Sequence, residues 1–357
     1  MRVAIDWQGL GGHLTGAGKA LACLLRQLRH DFPRHECAVL APFDRARWDL
    51  RRQLLWDQVH FPWLALRRGA DLLHAPGGTS APVLRHRPLV MTVHDLAPTR
   101  HPEFLPHFRS RWYWGRWIPL TARWADRLLV PSVSTKRDLV DLLGIPEARI
   151  HVIPWGVPLD PPEEAFDRAA VAKVRSAYGL PDRYLLYVGT IDRRKDYATL
   201  LQALHGIDAG IHLAVAGSVI AGRTDFPQMI ERAGLRDRVR VLGYVSDEDL
   251  VGLFRGAAVF VYPSFYEGFG LPVLEAMACG TPVITYNTTS LPEVAGDAAI
   301  LLDPPVTPEA LAEQIARLLE DDALRRELIE RGLKQAQRFD WRTTARLTVE
   351  AYEALAS

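Results

Sequence analysis

Short runs of apolar, mostly β-branched or aliphatic residues alternate along the chain with stretches whose apolar positions recur at helical spacing. That is the pattern of βαβ units whose strands are buried on both faces of a parallel sheet. In the first half the runs predict strands at Arg2–Asp6, Glu36–Leu40, Asp71–His74, Leu89–Val93, Arg127–Pro131 and Arg149–Ile153, with helices at Lys19–Arg29 and Thr135–Leu143. Pro154, Pro158, Pro161 and Pro162 then fall within nine positions. A stretch so constrained in φ and so short of N–H donors suits neither helix nor sheet interiors, and it marks an interdomain linker. Beyond it the alternation restarts, with strands predicted at Tyr184–Val188, His212–Ala216, Arg240–Leu242, Val259–Tyr262, Pro282–Thr285 and Ala299–Leu302. Helices are predicted at Tyr197–Leu204, Asp247–Phe254 and Leu271–Ala278, and after Pro308 the pattern is helical to the end in two or three segments. The expectation is an α/β chain of two doubly wound domains, 1–160 and 161–338, with ligands bound where the strands' carboxyl ends face a cleft.

Length agrees, because 357 residues exceed what one hydrophobic core usually organises. With 48% hydrophobic and 24% charged residues the chain is neither disordered, collagen-like nor a disulfide scaffold. Net charge is +1, which speaks against a dedicated nucleic-acid binder. That total hides an asymmetry: residues 1–160 hold 22 Lys and Arg against 14 Asp and Glu, and residues 161–357 hold 21 against 28. Cys23, Cys37 and Cys279 form no CxxC pair or metal-ligand spacing and read as buried thiols of a reducing compartment. The N-terminus enters a strand pattern instead of a signal peptide, and no run reaches the roughly 20 apolar residues of a membrane span. A cytoplasmic protein is expected, with any membrane contact peripheral, at the inner face.

The strongest local chemistry lies in Glu267-Gly-Phe-Gly-Leu-Pro-Val-Leu-Glu275, between a strand and a helix. Gly268 and Gly270 let backbone N–H groups approach a ligand, and the helix start behind them favours a phosphate. Glu267 and Glu275 would accept hydrogen bonds from sugar hydroxyls, although an N-cap glutamate and a solvated helix residue explain the pattern equally well. Gly11, Gly12, Gly16 and Gly18, with Lys19 opening the helix, make a glycine-rich loop after the first strand. Its spacing is not GxGxxG, so a dinucleotide fingerprint is absent and an NAD oxidoreductase is disfavoured. Asp247-Glu-Asp249 superficially resembles a metal-binding DxD motif, but carboxylates after Ser246 at a helix start are better explained by capping and the helix dipole. Between Arg109 and Arg127, Trp112, Tyr113, Trp114, Trp117 and Trp124 alternate with arginines. This combination suits a membrane interface or an anionic acceptor, yet Trp114, Trp117, Ile118 and Trp124 share one helical face, and a core-facing helix is the favoured expectation.

Taken with Thr92-Val-His94-Asp95-Leu, Pro131 to Leu139, Val152-Ile-Pro-Trp-Gly-Val157, Tyr187 to Asp196, Leu242-Gly-Tyr-Val245 and Phe339-Asp-Trp341, the Glu267 to Glu275 segment resembles the signature of the retaining glycosyltransferases of family 4. The resemblance covers nearly the whole chain. It implies the GT-B fold, two Rossmann-like domains facing a central cleft: an N-terminal acceptor domain, 1–160, a C-terminal sugar-nucleotide domain, 161–338, and a terminal segment, 339–357, returning to the N-terminal domain. Residue by residue it implies that Lys195 and Arg194 offset the charge of the leaving diphosphate and that Glu275 holds the nucleotide ribose. Glu267 would face the transferred sugar, and Phe269, Gly270 and Leu271 would donate backbone N–H groups. His94 would line the sugar pocket. Gly16 would lie beside the donor phosphates, with Gly12, Lys19 and Asp95 toward the acceptor. His94, Lys195 and Glu267 are the implied catalytic residues. Where some members carry an arginine after the strand glycine this chain has Thr190, and where many have arginine it has Lys19; the first departure resembles a mannosyltransferase-like subgroup.

The resulting expectation is a metal-independent, retaining transfer of a hexose to a glycan or lipid-linked acceptor. GDP-mannose is favoured as donor over a UDP-hexose, with no cofactor and no nucleic-acid partner. The alternatives are a UDP-hexose-dependent glucosyltransferase of the same family, a nucleotide-sugar epimerase or phosphorylase, and a non-catalytic sugar-nucleotide-binding protein.

Overall fold

A computed structural model describes residues 1–7, 16–41, 49–77, 80–105, 108–159, 167–218 and 225–356. The chain forms two compact units, Met1–Pro158 with Phe339–Ser357, and Leu159–Arg338. Unit 1 contains strands β1 (Arg2–Asp6), β2 (Glu36–Leu40), β3 (Leu72–Ala75), β4 (Leu89–Thr92), β5 (Arg127–Val130) and β6 (Ile150–Val152). They form a parallel sheet in the order β2-β1-β3-β4-β5-β6. Unit 2 contains β7 (Tyr184–Val188), β8 (His212–Ala216), β9 (Val239–Gly243), β10 (Val259–Tyr262), β11 (Val283–Tyr286) and β12 (Ala299–Leu302). Its parallel sheet runs β12-β11-β10-β7-β8-β9. Strands differ from the sequence expectation by two residues or fewer at their ends, because a continuous apolar run is buried on both faces and carries no internal marker of where pairing stops.

Alternating side chains of the unit 1 sheet feed two cores. Ala4, Leu73, Met91 and Leu128 pack with Trp56, Phe61 and Leu139 on one face. Val3, Ile5, Leu72, Val90 and Leu129 pack with Leu21, Leu25 and Tyr352 on the other. Tyr352 belongs to the last helix, Trp341–Ala356, so the C-terminus completes the core of unit 1. Its start is set by Asp340, whose Oδ1 accepts from the N–H groups of Arg342 (2.6 Å) and Thr343 (3.1 Å). Trp341 Nε1 donates to the Val157 carbonyl (2.9 Å) and Thr344 Oγ1 to the Pro154 carbonyl (2.7 Å). A Cβ on Gly156 would lie 2.6 Å from the Trp341 nitrogen, so only glycine admits this approach. Pro154 to Val157 is thus packed within unit 1, and the boundary between the units, Pro158 to Leu159, falls inside the proline stretch expected to link them; Pro161 and Pro162 lie outside the described residues. Cys279 is buried as expected, whereas Cys23 and Cys37 are half-buried.

His74 on β3 ties this core together. It is fully buried, its Nε2 paired with Thr92 Oγ1 (2.8 Å) and its Nδ1 with Tyr352 OH (2.7 Å). Burial, aided by repulsion from His94, lowers its pKa to about 3. The unfolded chain takes up this proton near pH 6.5 and the folded chain only near 3, so stability should fall as pH drops through that window, by up to about 1.4 kcal/mol per pH unit. Asp57, pushed up to about 6 by burial, titrates with the opposite sign. His74→Gln isolates the histidine: urea unfolding between pH 7 and pH 4 should show a smaller acid loss in the variant than in the wild type, and parallel curves would refute the assignment.

Among the described residues, short helices that escape the sequence pattern include Leu50–Leu55, Phe61–Arg67, Arg168–Ala177, Phe226–Arg232 and Leu291–Ala295. Three of them carry proline in the first turn, where its missing N–H costs nothing and its fixed φ favours a helix start. The core-facing expectation fails for Trp114 and Trp124 and holds in part for Trp117 and Ile118, which are half-buried, Ile118 against the core. Tyr113–Trp117 is a π-helical turn inside the helical run, and the extra residue rotates the faces on either side of it. Tyr113, Gly115, Pro119, Thr121 and Ala122 are buried, whereas Trp112, Trp114 and Trp124 are exposed.

Candidate active site

In unit 2 the chemistry gathers where β7 and β10, neighbours at the centre of the sheet, end. The loop after β7 is fastened to the segment after β10: Phe265 N donates to the Arg194 carbonyl (2.9 Å) and Asp196 N to the Pro263 carbonyl (2.7 Å), with Lys195 and Ser264 in an isolated antiparallel bridge. This brings together Lys195 and Glu267, which are 72 positions apart in sequence. The Lys195 ammonium donates to Glu267 Oε1 and to Tyr262 OH, and lies 4.2 Å from the centroid of the Tyr262 ring. Glu267 Oε1 also accepts from Ser264 Oγ (2.6 Å) and Tyr262 OH (3.0 Å). Both charged side chains are largely withdrawn from water, 4% and 12% exposed, so the pair is fixed in a low-dielectric setting. Burial drives the Tyr262 phenol far above its ordinary pKa, and it stays a neutral donor.

Behind this cluster Gly270 caps the helix Leu271–Ala278 with φ 106° and ψ 41°. A Cβ there would be strained and would lie 2.9 Å from Leu291 Cδ2. Ser290 Oγ donates to the carbonyls of Glu267 and Phe269 (both 2.9 Å), and Glu267 N donates to Thr289 Oγ1 (3.0 Å). Thr289 itself sits at φ +48°, a strained value for a β-branched residue. Phe269 and Leu271 are buried, and Glu275 is buried one turn into the helix. Arg194 Nε lies 3.3 Å from Asp192 Oδ2, and Arg194 N donates to Asp192 Oδ1 (2.8 Å). The structure thus brings Arg194, Lys195, Glu267, Phe269, Gly270, Leu271 and Glu275 into one region. Tyr262, Ser264, Asp192, Thr289 and Ser290 are partners that sequence reasoning missed. Only Ser264 carried a signal, its place two residues after a strand; Thr289 and Ser290 act through a loop with no motif of its own.

Asp247-Glu-Asp249 forms the first turn of the helix Asp247–Gly256. Ser246 Oγ accepts from Asp249 N (3.1 Å), and Asp249 Oδ2 accepts from Tyr178 OH (2.9 Å). These carboxylates serve the helix start and its packing. Among the described residues no group of three or more His, Cys, Asp or Glu could hold a metal ion.

In unit 1, His94 follows β4 with its ring edge-on to Trp155, centroids 5.1 Å apart. Gly77, at φ +101°, packs so closely that a Cβ would lie 2.3 Å from His94 Nε2. Burial lowers the His94 pKa, with Asp95 and a hydrogen bond to the Pro76 backbone partly opposing it, so the imidazole is neutral. Its buried Nδ1 meets no hydrogen-bond partner among the described residues. Asp95 Oδ1 accepts from Ala97 N (2.9 Å), which makes one of its oxygens a cap for the following turn. Gly16 and Lys19 lie in the first turn of the helix Gly16–Asp31, Gly16 exposed and Lys19 half-buried. Gly12 lies outside the described residues.

Comparison with known proteins bears on both units. Residues 10–161 match the profile described as "Glycosyltransferase Family 4", and residues 172–335 that of "Glycosyl transferases group 1". The chain is 37% identical over 272 residues to an O-antigen chain mannosyltransferase B of Escherichia coli, covering 74% of this chain and 70% of that one. It is 30% identical over 344 residues to a D-inositol 3-phosphate glycosyltransferase of Xylanimonas cellulosilytica, covering 91% of this chain and 78% of the relative. Among solved structures, the Anabaena protein Alr3699/HepE in complex with UDP and glucose superposes with a TM-score of 0.77 over 99% of this chain and 100% of that one, at 21% identity.

Proposed function

Because the chain belongs to the family 4, group 1 glycosyltransferases and has their GT-B fold, we propose that this enzyme is a metal-independent, retaining mannosyltransferase that uses GDP-mannose. The likeness to an O-antigen chain mannosyltransferase supports mannose and a glycan or lipid-linked hydroxyl acceptor. The observation that carries the reading is the buried cluster of Lys195, Tyr262, Ser264 and Glu267 beside the glycine-capped helix. Unit 2 then takes the donor and unit 1 the acceptor.

The ammonium of Lys195 is held by Tyr262 and Glu267 before any ligand arrives, so it stabilises a departing diphosphate without reorganising. Arg194 and the N–H groups of Phe269, Gly270 and Leu271 add to that field. Glu267 keeps a second carboxylate oxygen for a sugar hydroxyl, and Glu275 accepts from the ribose. Neutral His94 hydrogen-bonds the sugar. The bond from the anomeric carbon to the phosphate oxygen breaks, the acceptor oxygen bonds the same carbon from the same face, and its proton passes to the departing phosphate. The protein contributes positioning and electrostatics, with no divalent ion called on.

Two measurements test this reading. In a thermal-shift screen, GDP-mannose should raise the melting temperature most, since a ligand at a hundredfold excess over its Kd adds about 2.7 kcal/mol. A shift confined to UDP-hexoses would transfer the assignment to the glucosyltransferase reading. NMR of the product should show the donor's anomeric configuration retained, and an inverted product would reject the mechanism.

A further inference from the structure

Away from this cluster, unit 1 carries a face that its own packing leaves unexplained. Three segments, 50–68, 80–87 and 108–124, are joined by hydrogen bonds. Asp57 Oδ2 accepts from Ser80 Oγ (2.6 Å) and Tyr113 OH (2.7 Å), Gln58 Oε1 accepts from Val83 N (2.9 Å), and Arg85 holds the Trp124 carbonyl. Large apolar side chains stand out from them: Leu84 and Phe108 are each 82% exposed, Trp63 50%, Trp114 41%, and Trp112 and Trp124 37%. Trp112 stacks on Trp117 at 5.6 Å and Trp117 meets Trp124 edge-on at 6.2 Å, so the aromatic rings form a connected group. The same three segments contain ten arginines and one carboxylate, the buried Asp57.

We infer that this face seats the enzyme on an anionic lipid bilayer. Indole rings with an apolar body and a polar edge partition to the headgroup level, and arginines beside them pair with lipid phosphates. Each alternative occupant meets an obstacle on this surface. A second copy docking face to face would oppose ten arginines to ten, with no exposed carboxylate in these segments to compensate. A single-stranded nucleic acid would stack on the rings but leave the exposed aliphatic Leu84, Leu66 and Leu55 without bases to meet. Attachment is peripheral, since no helix among the described residues is long and apolar enough to cross a membrane. The inference is independent of the donor assignment, because it concerns binding to a surface without nucleotide or acceptor.

The test is flotation of the full chain with vesicles, in the absence of any sugar nucleotide. Vesicles of phosphatidylcholine mixed with phosphatidylglycerol should carry the protein, pure phosphatidylcholine should not, and raised salt should release it. Arg109→Gln with Arg116→Gln should lower partitioning more than about tenfold, and Trp112→Ser with Trp114→Ser should lower it comparably, with melting temperatures unchanged. The inference is overturned if the protein fails to float, if it binds both lipids equally, or if both double variants float like the wild type. Preferential binding of a single-stranded oligonucleotide, or a dimer in sedimentation that the tryptophan variant dissociates while no vesicle binding occurs, would assign the face to another partner. The thermal-shift screen reads the donor site separately, so the two assignments fail by different observations.

Discussion

Lys195→Met is expected to lower kcat/KM for glycosyl transfer by about two to three orders of magnitude, the scale seen when one preorganised donor to a developing negative charge is removed. The same change leaves the Glu267 carboxylate buried without its cation, which by itself costs about 3 to 5 kcal/mol of stability. Lost activity could therefore be mistaken for lost folding. The double variant Lys195→Met with Glu267→Gln removes that ambiguity: it discards the charge pair together, so its melting temperature should recover toward the wild type while its activity stays low. Glu275→Ala, at a buried helix position where the proposal has the carboxylate accepting from the ribose, should reduce turnover by well over tenfold and raise KM for the donor. Near-normal turnover in both Lys195→Met and Glu275→Ala would end the donor-site assignment.

Gly217→Ala is expected to cost the most stability of the single-methyl additions at the described glycines. A Cβ there would lie 2.0 Å from the Gly189 carbonyl oxygen, and its φ of +145° already lies where L side chains are strained. The obstructing atoms are backbone, so no side-chain rotation relieves the contact. Gly189 N donates to Ala216 O (2.9 Å) and Gly217 N to Gly243 O (2.7 Å), so the methyl would force apart the carboxyl ends of β7, β8 and β9. A loss of about 4 kcal/mol or more is expected in urea unfolding, with donor binding weakened because the loop carrying Arg194 and Lys195 leaves the same strand end. Gly179→Ala is the control: it shares a positive φ, +61°, but a Cβ would meet nothing within 4 Å, and the cost should be about 1 kcal/mol. Equal losses in the two variants would show that crowding between the strand ends is not the cause.

The two glycines mark how far sequence reasoning reached. Gly189 belongs to the Val-Gly-Thr segment that carries the family resemblance, whereas Gly217 follows its strand with nothing to distinguish it from an ordinary turn. Its constraint comes from a second strand end lying alongside, which no local pattern records. Likewise Lys195 and Glu267 were each legible as site residues, but their pairing through Tyr262 and Ser264 was not. The tryptophan segment shows the opposite error. A helical wheel placed Trp114, Trp117, Ile118 and Trp124 on one core face; around a π-helical turn that face is split, with Trp114 and Trp124 exposed while Trp117 stays half-buried and Ile118 packs on the core.

By itself the sequence determined the α/β class, the twelve strands among the described residues and the family, and it pointed to most of the residues proposed for the donor site, because strands buried on both faces must be apolar runs and a loop that must approach a ligand must carry glycine. Only the tertiary structure decided which charges pair, that the C-terminal helix completes the first core through Tyr352 and His74, and which face of the arginine-rich segment meets solvent. Local pattern follows from the chain's own periodicity. Partnership between residues 72 or 278 positions apart depends on sheet order and loop closure, and those are properties of the folded chain.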